Sequence, residues 1–580
     1  IHERLVGSEM CIRDRCITLA LAGVTSCADV LDIDDKNNYS PDNVWNDENL
    51  SQAYLSNLYS LTFSGWPINC SGFYADEVSG ILTSEFIQPN NNNAKYWPYE
   101  SIYKINTMLE GLEQGNLKED VKKQLRGEAL FMRAYHYFKA VIYHGGVPYI
   151  TKVQEEDVDD LYVKRNSTAE CFDLIVKDLD EAIQSLPEHN TGNDYGHIDA
   201  SAALAFKAKV LLYKASPQFN PKSRYKNQYV DEAYEVNKLA YETLLSRGYG
   251  LLDNYTSIFE TEGHKEAVIA VLYDDTNKKD GRNEQTCRPL SMSKDATGGD
   301  QATWSLIEAY PMKDGKKIGE SDKYHYDIQT YWENRDPRFE ASQVWNGAIF
   351  ELASITGRRQ YTVHNIARVD DEFYITNTFN RTGFFPRKGI MESNLQAEVT
   401  NNSFDWLEMR FAEVMFNYAE IACSKGNTEI GYDVLKQIRK RAGIEAGEDN
   451  MYGLKSGMNA DEMRLALLDE KRIEFAFEGQ RFWDLRRNRM LNILNGSRKY
   501  GLLGHYKGEI TAEVQAKSNR YELLPEDFTY SVQEVYTTGE AIMRVPDTYY
   551  FFPIKQSSIE QNANLEQNID WGGTFNPALE

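Results

Sequence analysis

The stretch from Asn459 to Arg487, NADEMRLALLDEKRIEFAFEGQRFWDLRR, constrains this chain more than any other. Asn459 followed by Glu462 predicts a capping box, and Gly479 predicts a left-handed turn that ends the helix. Between them Met463, Leu467, Leu468, Ile473, Phe475 and Phe477 spread around the helix instead of forming one stripe, with Arg472, Glu474 and Glu478 set among them. Such a helix is covered on several sides. Its charges must then be paired, for instance Glu478 with Arg481 at i,i+3, because an unpaired buried ion costs several kcal/mol. A structural ion-pair network outweighs the competing reading, a catalytic acid/base cluster.

The rest of the 580-residue chain must build the cover for that helix. A length of this order buries an ample core without metal or disulfide staples. Seven cysteines, at 11, 16, 27, 70, 171, 287 and 423, include no C-x-x-C pair and no His/Cys cluster at metal-ligand spacing. The reading therefore calls for no cofactor, and a structural calcium ion has no motif behind it. A formal charge of −25 argues against a nucleic-acid backbone or an anionic membrane face as partner and favours a neutral or partly cationic ligand. Tyrosines, 37 against 25 phenylalanines, offer flat apolar faces that tolerate water.

At the amino terminus CITLALAGV, residues 16–24, follows Arg13 and Arg15 and precedes Thr25, Ser26 and Cys27. That order predicts a secretory signal ending at a lipidated cysteine, so that residues 1–26 are leader and Cys27 carries the membrane anchor. Residues 1–15 have neither helical nor strand periodicity and read as a non-native extension. No apolar run reaches the roughly 18 to 20 residues of a membrane span.

Beyond the leader, apolar spacing predicts helices at about 47–61, 99–112, 121–143, 168–186, 199–215 and 230–246. They succeed one another as hairpins, with Ala203, Ala205 and Ala208 as small packing points, and suggest degenerate tetratricopeptide-like repeats of about 34 residues. Residues 27–230 form this first helical region. Residues 231–403 read as loop- and β-rich insertions that face a ligand, with AVIAVLY and DEFYITNTF as strands. Residues 404–580 return to helix at about 404–424 and 428–441, then pass through the framework stretch into an irregular tail with a strand-like DTYYFFPI. The fold class expected is all-α dominated, with irregular, partly β loop insertions.

Several stretches together resemble the SusD/RagB-like outer-membrane lipoproteins of Bacteroidetes. They are GEALFMRAYHYFKAVIYHGGVPYI at 127–150, YPMKDGK at 310–316, NRDPRF at 334–339, TGFFPRK at 382–388, FAEVMFNYAEIA at 411–422, LKQIRKRAGI at 435–444 and EKRIEFAFEGQRFWDLRR at 470–487. The closing PIKQSSIEQNANLEQNIDW also matches, with Ile569 and Asp570 where a Pro-Gly pair is more usual. The resemblance implies tetratricopeptide-like helix pairs, a surface-exposed, lipid-anchored place on the outer membrane, and capture of glycans for a TonB-dependent SusC-like transporter. A RagB-like peptide-capturing version, with acidic loops selecting basic peptides, and a pure protein scaffold are the alternatives.

A sugar site needs aromatic faces for C–H groups and planar polar groups for adjacent hydroxyls. The shared motifs are set aside as framework, and the loops are expected to carry the contacts. Trp66, Tyr74 and Asp76 in one Gly/Asn-rich loop and Arg282, Asn283 and Trp304 in a second are expected to converge, with Trp97 and Trp345 beside them. Trp406 and Trp483 read as core, Trp571 as part of the tail motif, Trp45 as packed and Trp332 as a weaker candidate. No G-x-S-x-G, H-E-x-x-H or P-loop occurs. The acid pairs Asp76/Glu77 and Asp370/Asp371/Glu372 lack a predictable opposed geometry, so a binding protein is expected and not an enzyme.

Overall fold

Asp47 accepts a hydrogen bond from the Leu50 amide at 3.0 Å and so opens the first long helix, α1, Glu48–Thr62. In this computed structural model, residues 41–580 are described apart from 69–72, 92, 94–95, 280, 295–296, 367–370, 374–379 and 536–541. The predicted signal, Cys27 and most of DEFYITNTF lie outside the described residues.

The helices that follow are α2, Tyr99–Gln114; α3, Glu119–His144; α4, Thr168–Ser185; α5, Ala200–Ala215; and α6, Val230–Ser246. After a long interval come α7, Phe411–Ser424; α8, Thr428–Ala442; α9, Ala460–Glu474; and α10, Arg481–Arg487. From α2 to α8 each helix packs on its predecessor, as hairpin stacking requires. α3 is buried nearly all round because α1, α2 and α4 enclose it.

Three small antiparallel pairs complete the fold. β1, Ala267–Val271, pairs with β4, Trp406–Arg410. The expected helix from 404 is thus a strand for five residues and turns helical only at Phe411. β2, Gln343–Val344, pairs with β3, Phe385–Pro386, and β5, Tyr500–Tyr506, pairs with β6, Phe528–Glu534. The tail is therefore less irregular than its composition suggests. DTYYFFPI instead forms a short 3-10 turn at Asp547–Tyr550, with Tyr549, Phe551 and Phe552 buried.

Two apolar cores meet at the framework stretch. Met463, Leu467, Leu468, Phe475 and Phe482 belong to the helical core, whereas Ile473, Ala476 and Phe477 belong to a second core built from residues of the loop-rich interval and the β5/β6 hairpin. An apolar pattern running round the helix is the signature of a segment between two cores. Its capping box is present, Glu462 returning to the Asn459 amide at 2.9 Å. The helix, however, ends at Glu474, not at Gly479; residues 475–479 are turns, with Phe477 at φ +65° and Gly479 at φ +71°.

The charges at that seam are balanced. Arg338, Arg410, Arg439, Arg441 and Lys388 interleave with Asp336, Glu266, Glu470, Glu474 and Glu478. Glu478 does not take Arg481 as partner, because the turn aims it at Lys388 and Arg410, each 2.9 Å away. Arg481 points the other way and clasps Asp76 through two 3.0 Å bonds.

Candidate functional site

The two expected loops do converge. Thr303 donates its backbone amide to the Glu77 carbonyl at 2.8 Å and its hydroxyl to the Asp76 carbonyl at 2.6 Å, and Val78 bridges Ala302. What they form is a packed seam. Trp66 is 7 % exposed, with Phe259 and Trp406 ring centroids at 4.4 and 5.0 Å and the Arg282 guanidinium over it at 4.6 Å. Trp304 and Trp345 are equally buried in the second core, and Trp332 stacks on Trp345 at 5.0 Å. The reading of these tryptophans as ligand platforms is corrected: the apolar area that marks a ring for a sugar marks it equally for a core.

The polar members are committed to the same seam. Arg282 is fully buried and bound to Asp300 at 2.9 Å. Asn283 takes a left-handed backbone and gives its carbonyl to Thr286. Burial opposes the charge of Asp76, yet Arg472 and Arg481 hold its carboxyl well below the usual range. Burial and the adjacent Asp76 push Glu77 up to about 8. Tyr74 is half-buried under Gly80, and Trp97 is half-buried against Tyr99 at 4.9 Å.

A cleft of about 330 Å³ with the composition a sugar requires opens elsewhere, between α3, α5, β4 and the turn after α9. Tyr135, Phe138, Lys139, Ile142 and Tyr143 face it from α3, at spacings of i, i+3, i+4, i+7 and i+8 that place them on one side of the helix. Phe206, Lys209 and Tyr213 face it from α5 by the same rule, and Trp406 and Glu408 from one face of β4. Gln480 and the half-buried Trp483 close the far side, where Trp483 lies 5.0 Å from the Tyr143 ring. Two other cavities, of about 260 and 440 Å³, have fewer aromatic faces.

Polar groups in the cleft are held by one another. Glu408 accepts from the Tyr135 hydroxyl at 2.5 Å and from the Trp406 indole at 2.9 Å. Glu413 accepts from Lys209 at 2.8 Å and from Gln480 at 3.3 Å. Burial would lower the Lys209 ammonium, but Glu413 more than compensates and raises it. Tyr96, which also lines the cleft, meets His136 behind it at 2.8 Å; burial, then Lys139, pushes His136 down to about 3, so the ring is neutral near pH 7.

The cleft residues of α3, and Gln480 and Trp483, come from stretches 127–150 and 470–487, which were expected to be framework. The signal for them is present in α3, where two tyrosines and a lysine interrupt an otherwise apolar face. It is readable only once the opposing wall is known.

The carboxy-terminal part of the chain, residues 265–571, matches the model described as the SusD family, and residues 28–212 match one described as starch-binding associating with outer membrane. SusD-like protein P38 of Formosa agariphila is 23 % identical over 82 % of this chain and 91 % of its own. SusD-like protein P2 of the same organism is 23 % identical over 70 % of this chain and 74 % of its own. Among solved structures, a SusD-like protein from Bacteroides fragilis superposes with a TM-score of 0.72 at 24 % identity, covering 91 % of this chain and 98 % of that one. A laminarin-binding SusD-like protein superposes with a TM-score of 0.59 at 19 % identity, covering 90 % of this chain and 99 % of that one. The framework stretch lies inside a match spanning more than half of the sequence, and the chain belongs to the SusD family.

Proposed function

We propose that this protein is a non-catalytic glycan-binding lipoprotein of the outer-membrane surface, anchored through Cys27, that captures oligosaccharides and passes them to a SusC-like TonB-dependent transporter. The observation that carries the reading is the cleft: several aromatic rings, two ammonium groups and a glutamine converge around about 330 Å³, in a chain of the SusD family. Rings such as Trp483 and Tyr143 supply faces for sugar C–H groups, while Lys139, Lys209 and Gln480 supply donors for hydroxyls. Family membership and the outer-membrane description of the amino-terminal match support the location and the transporter partner.

Hydrolysis has little to support it. Arg481 occupies both oxygens of Asp76, and Asp371 accepts from Ser291 and Gln360.

Calorimetric titration with a panel of oligosaccharides tests the reading. Binding is expected for at least one glycan, and Trp483→Ala is expected to weaken it by about tenfold while the variant remains folded. Absence of binding across polysaccharides that induce the protein, or release of reducing ends on incubation with them, overturns it.

A further inference from the structure

Lys139 differs from three other enclosed ammonium groups. Lys209, Lys388 and Lys471 each reach a carboxylate, at 2.8, 2.9 and 2.7 Å. Lys139 is half-buried in the cleft wall, and its one hydrogen bond among the described residues is a long 3.5 Å contact to the Tyr135 hydroxyl. The rings of Tyr96 and Tyr135 lie 5.0 and 5.2 Å from its nitrogen. Glu408 is the acid that acts on it, but both carboxylate oxygens already accept from Tyr135 and Trp406. Two aromatic faces under an ammonium offset part of its lost hydration and leave its N–H donors directed at whatever enters.

We infer that Lys139 selects an anionic sugar, receiving a carboxylate or sulfate ester on a ring seated in the cleft. The inference rests on the cleft being the glycan site. Of the acids at and behind the cleft wall, Glu413 is paired with Lys209 and Glu478 with Lys388 and Arg410, and Glu408 is held by two neutral donors, so Lys139 is the lining ammonium that reaches no carboxylate at hydrogen-bond distance among the described residues and keeps N–H donors for an entering ring. The formal −25 of the chain does not reverse this, because exposed charges are largely screened beyond about 8 Å at physiological salt whereas an enclosed contact is not. Burial holds the Lys139 ammonium below its ordinary value, with Glu408 opposing that shift. An arriving anion would favour the protonated form further.

Three probes of similar length test it: oligogalacturonate for the carboxylate, a sulfated carrageenan oligosaccharide for the sulfate ester, and a neutral laminari-oligosaccharide. The full chain is expected to bind one of the anionic probes about tenfold or more tightly than the neutral one, the gain of a charge-assisted hydrogen bond. The arm that gains identifies the group. Lys139→Met is expected to bring that ratio close to one, and Lys139→Arg to keep most of it; Lys139→Gln is read in the same way if the methionine variant melts early. A preference that survives loss of the charge overturns the inference, as does equal or better binding of the neutral probe. In either case neutral binding lost in Trp483→Ala still upholds the cleft as a glycan site. Absence of binding by all three probes overturns both.

Discussion

Arg410, at the end of β4, donates to Glu474, the last residue of α9, through its side chain at 2.8 Å and to the Glu474 carbonyl at 2.9 Å, and both residues are fully enclosed. Glu474 also receives Arg338 and Arg441. Burial alone would raise its carboxyl, but these three cations hold it well below the usual range. Glu474→Ala takes one carboxylate from three buried guanidinium groups at once, leaving them to share Asp336, Glu266, Glu470 and Glu478, and is expected to cost about 3–5 kcal/mol in chemical denaturation. A loss below about 1 kcal/mol would mean that water already solvates the seam.

Trp304 and Trp483 separate stability from binding. Trp304 lies in the second core, so Trp304→Ala is expected to lower stability by about 3–5 kcal/mol and to leave the affinity of the folded fraction where it was. Should Trp304→Ala keep its melting temperature and lose glycan binding, the site lies in the loops and not in the cleft.

Glu77 predicts a pH dependence. Its folded value of about 8 is above the ordinary carboxyl value, so its contribution to stability is fully present below the unfolded value and is lost as pH rises through 8. Glu77→Gln removes the ionisation. Its melting temperature should gain on that of the native chain from pH 5 to pH 9, by on the order of a few kcal/mol in stability. Parallel curves over that range would show that Glu77 is already ionised at neutral pH.

Gly479 tests the turn that follows α9. It sits at φ +71°, and a Cβ there would lie 2.8 Å from Cγ of Pro67. Gly479→Ala is expected to cost about 1–2 kcal/mol for the backbone alone and more from the clash, and to narrow the cleft that Gly479 lines. A calorimetric titration should show weakened binding in the variant under conditions where it is folded. Unchanged stability and affinity together would mean that the turn yields.

Helix positions were legible from the sequence because capping and apolar spacing are local. Asp47, Ser167, Asp199 and Asn459 each cap the helix they announce. The strand at Trp406–Arg410 was not, since five residues, four of them buried, leading directly into a helix have the same texture as its first turn, and only pairing with Ala267–Val271 distinguishes them. The residues proposed to face a ligand were not legible either. Trp66 and Trp304 carry every sequence mark of a loop platform, and Tyr135 and Trp483 every mark of framework, because a ring's exposure depends on what packs over it.

For the framework stretch itself, the sequence determined that residues 459–487 are buried on several sides and that their charges are paired. Those conclusions follow from composition and spacing, which bound the desolvation each residue must endure. Tertiary structure decided the partners. Gly479 ends a turn and not the helix, so Glu478 swings to Arg410 and Lys388 while Arg481 reaches Asp76, a residue 405 positions away. A turn of a few residues redirects side chains by many ångströms, and no local rule carries that information across the chain.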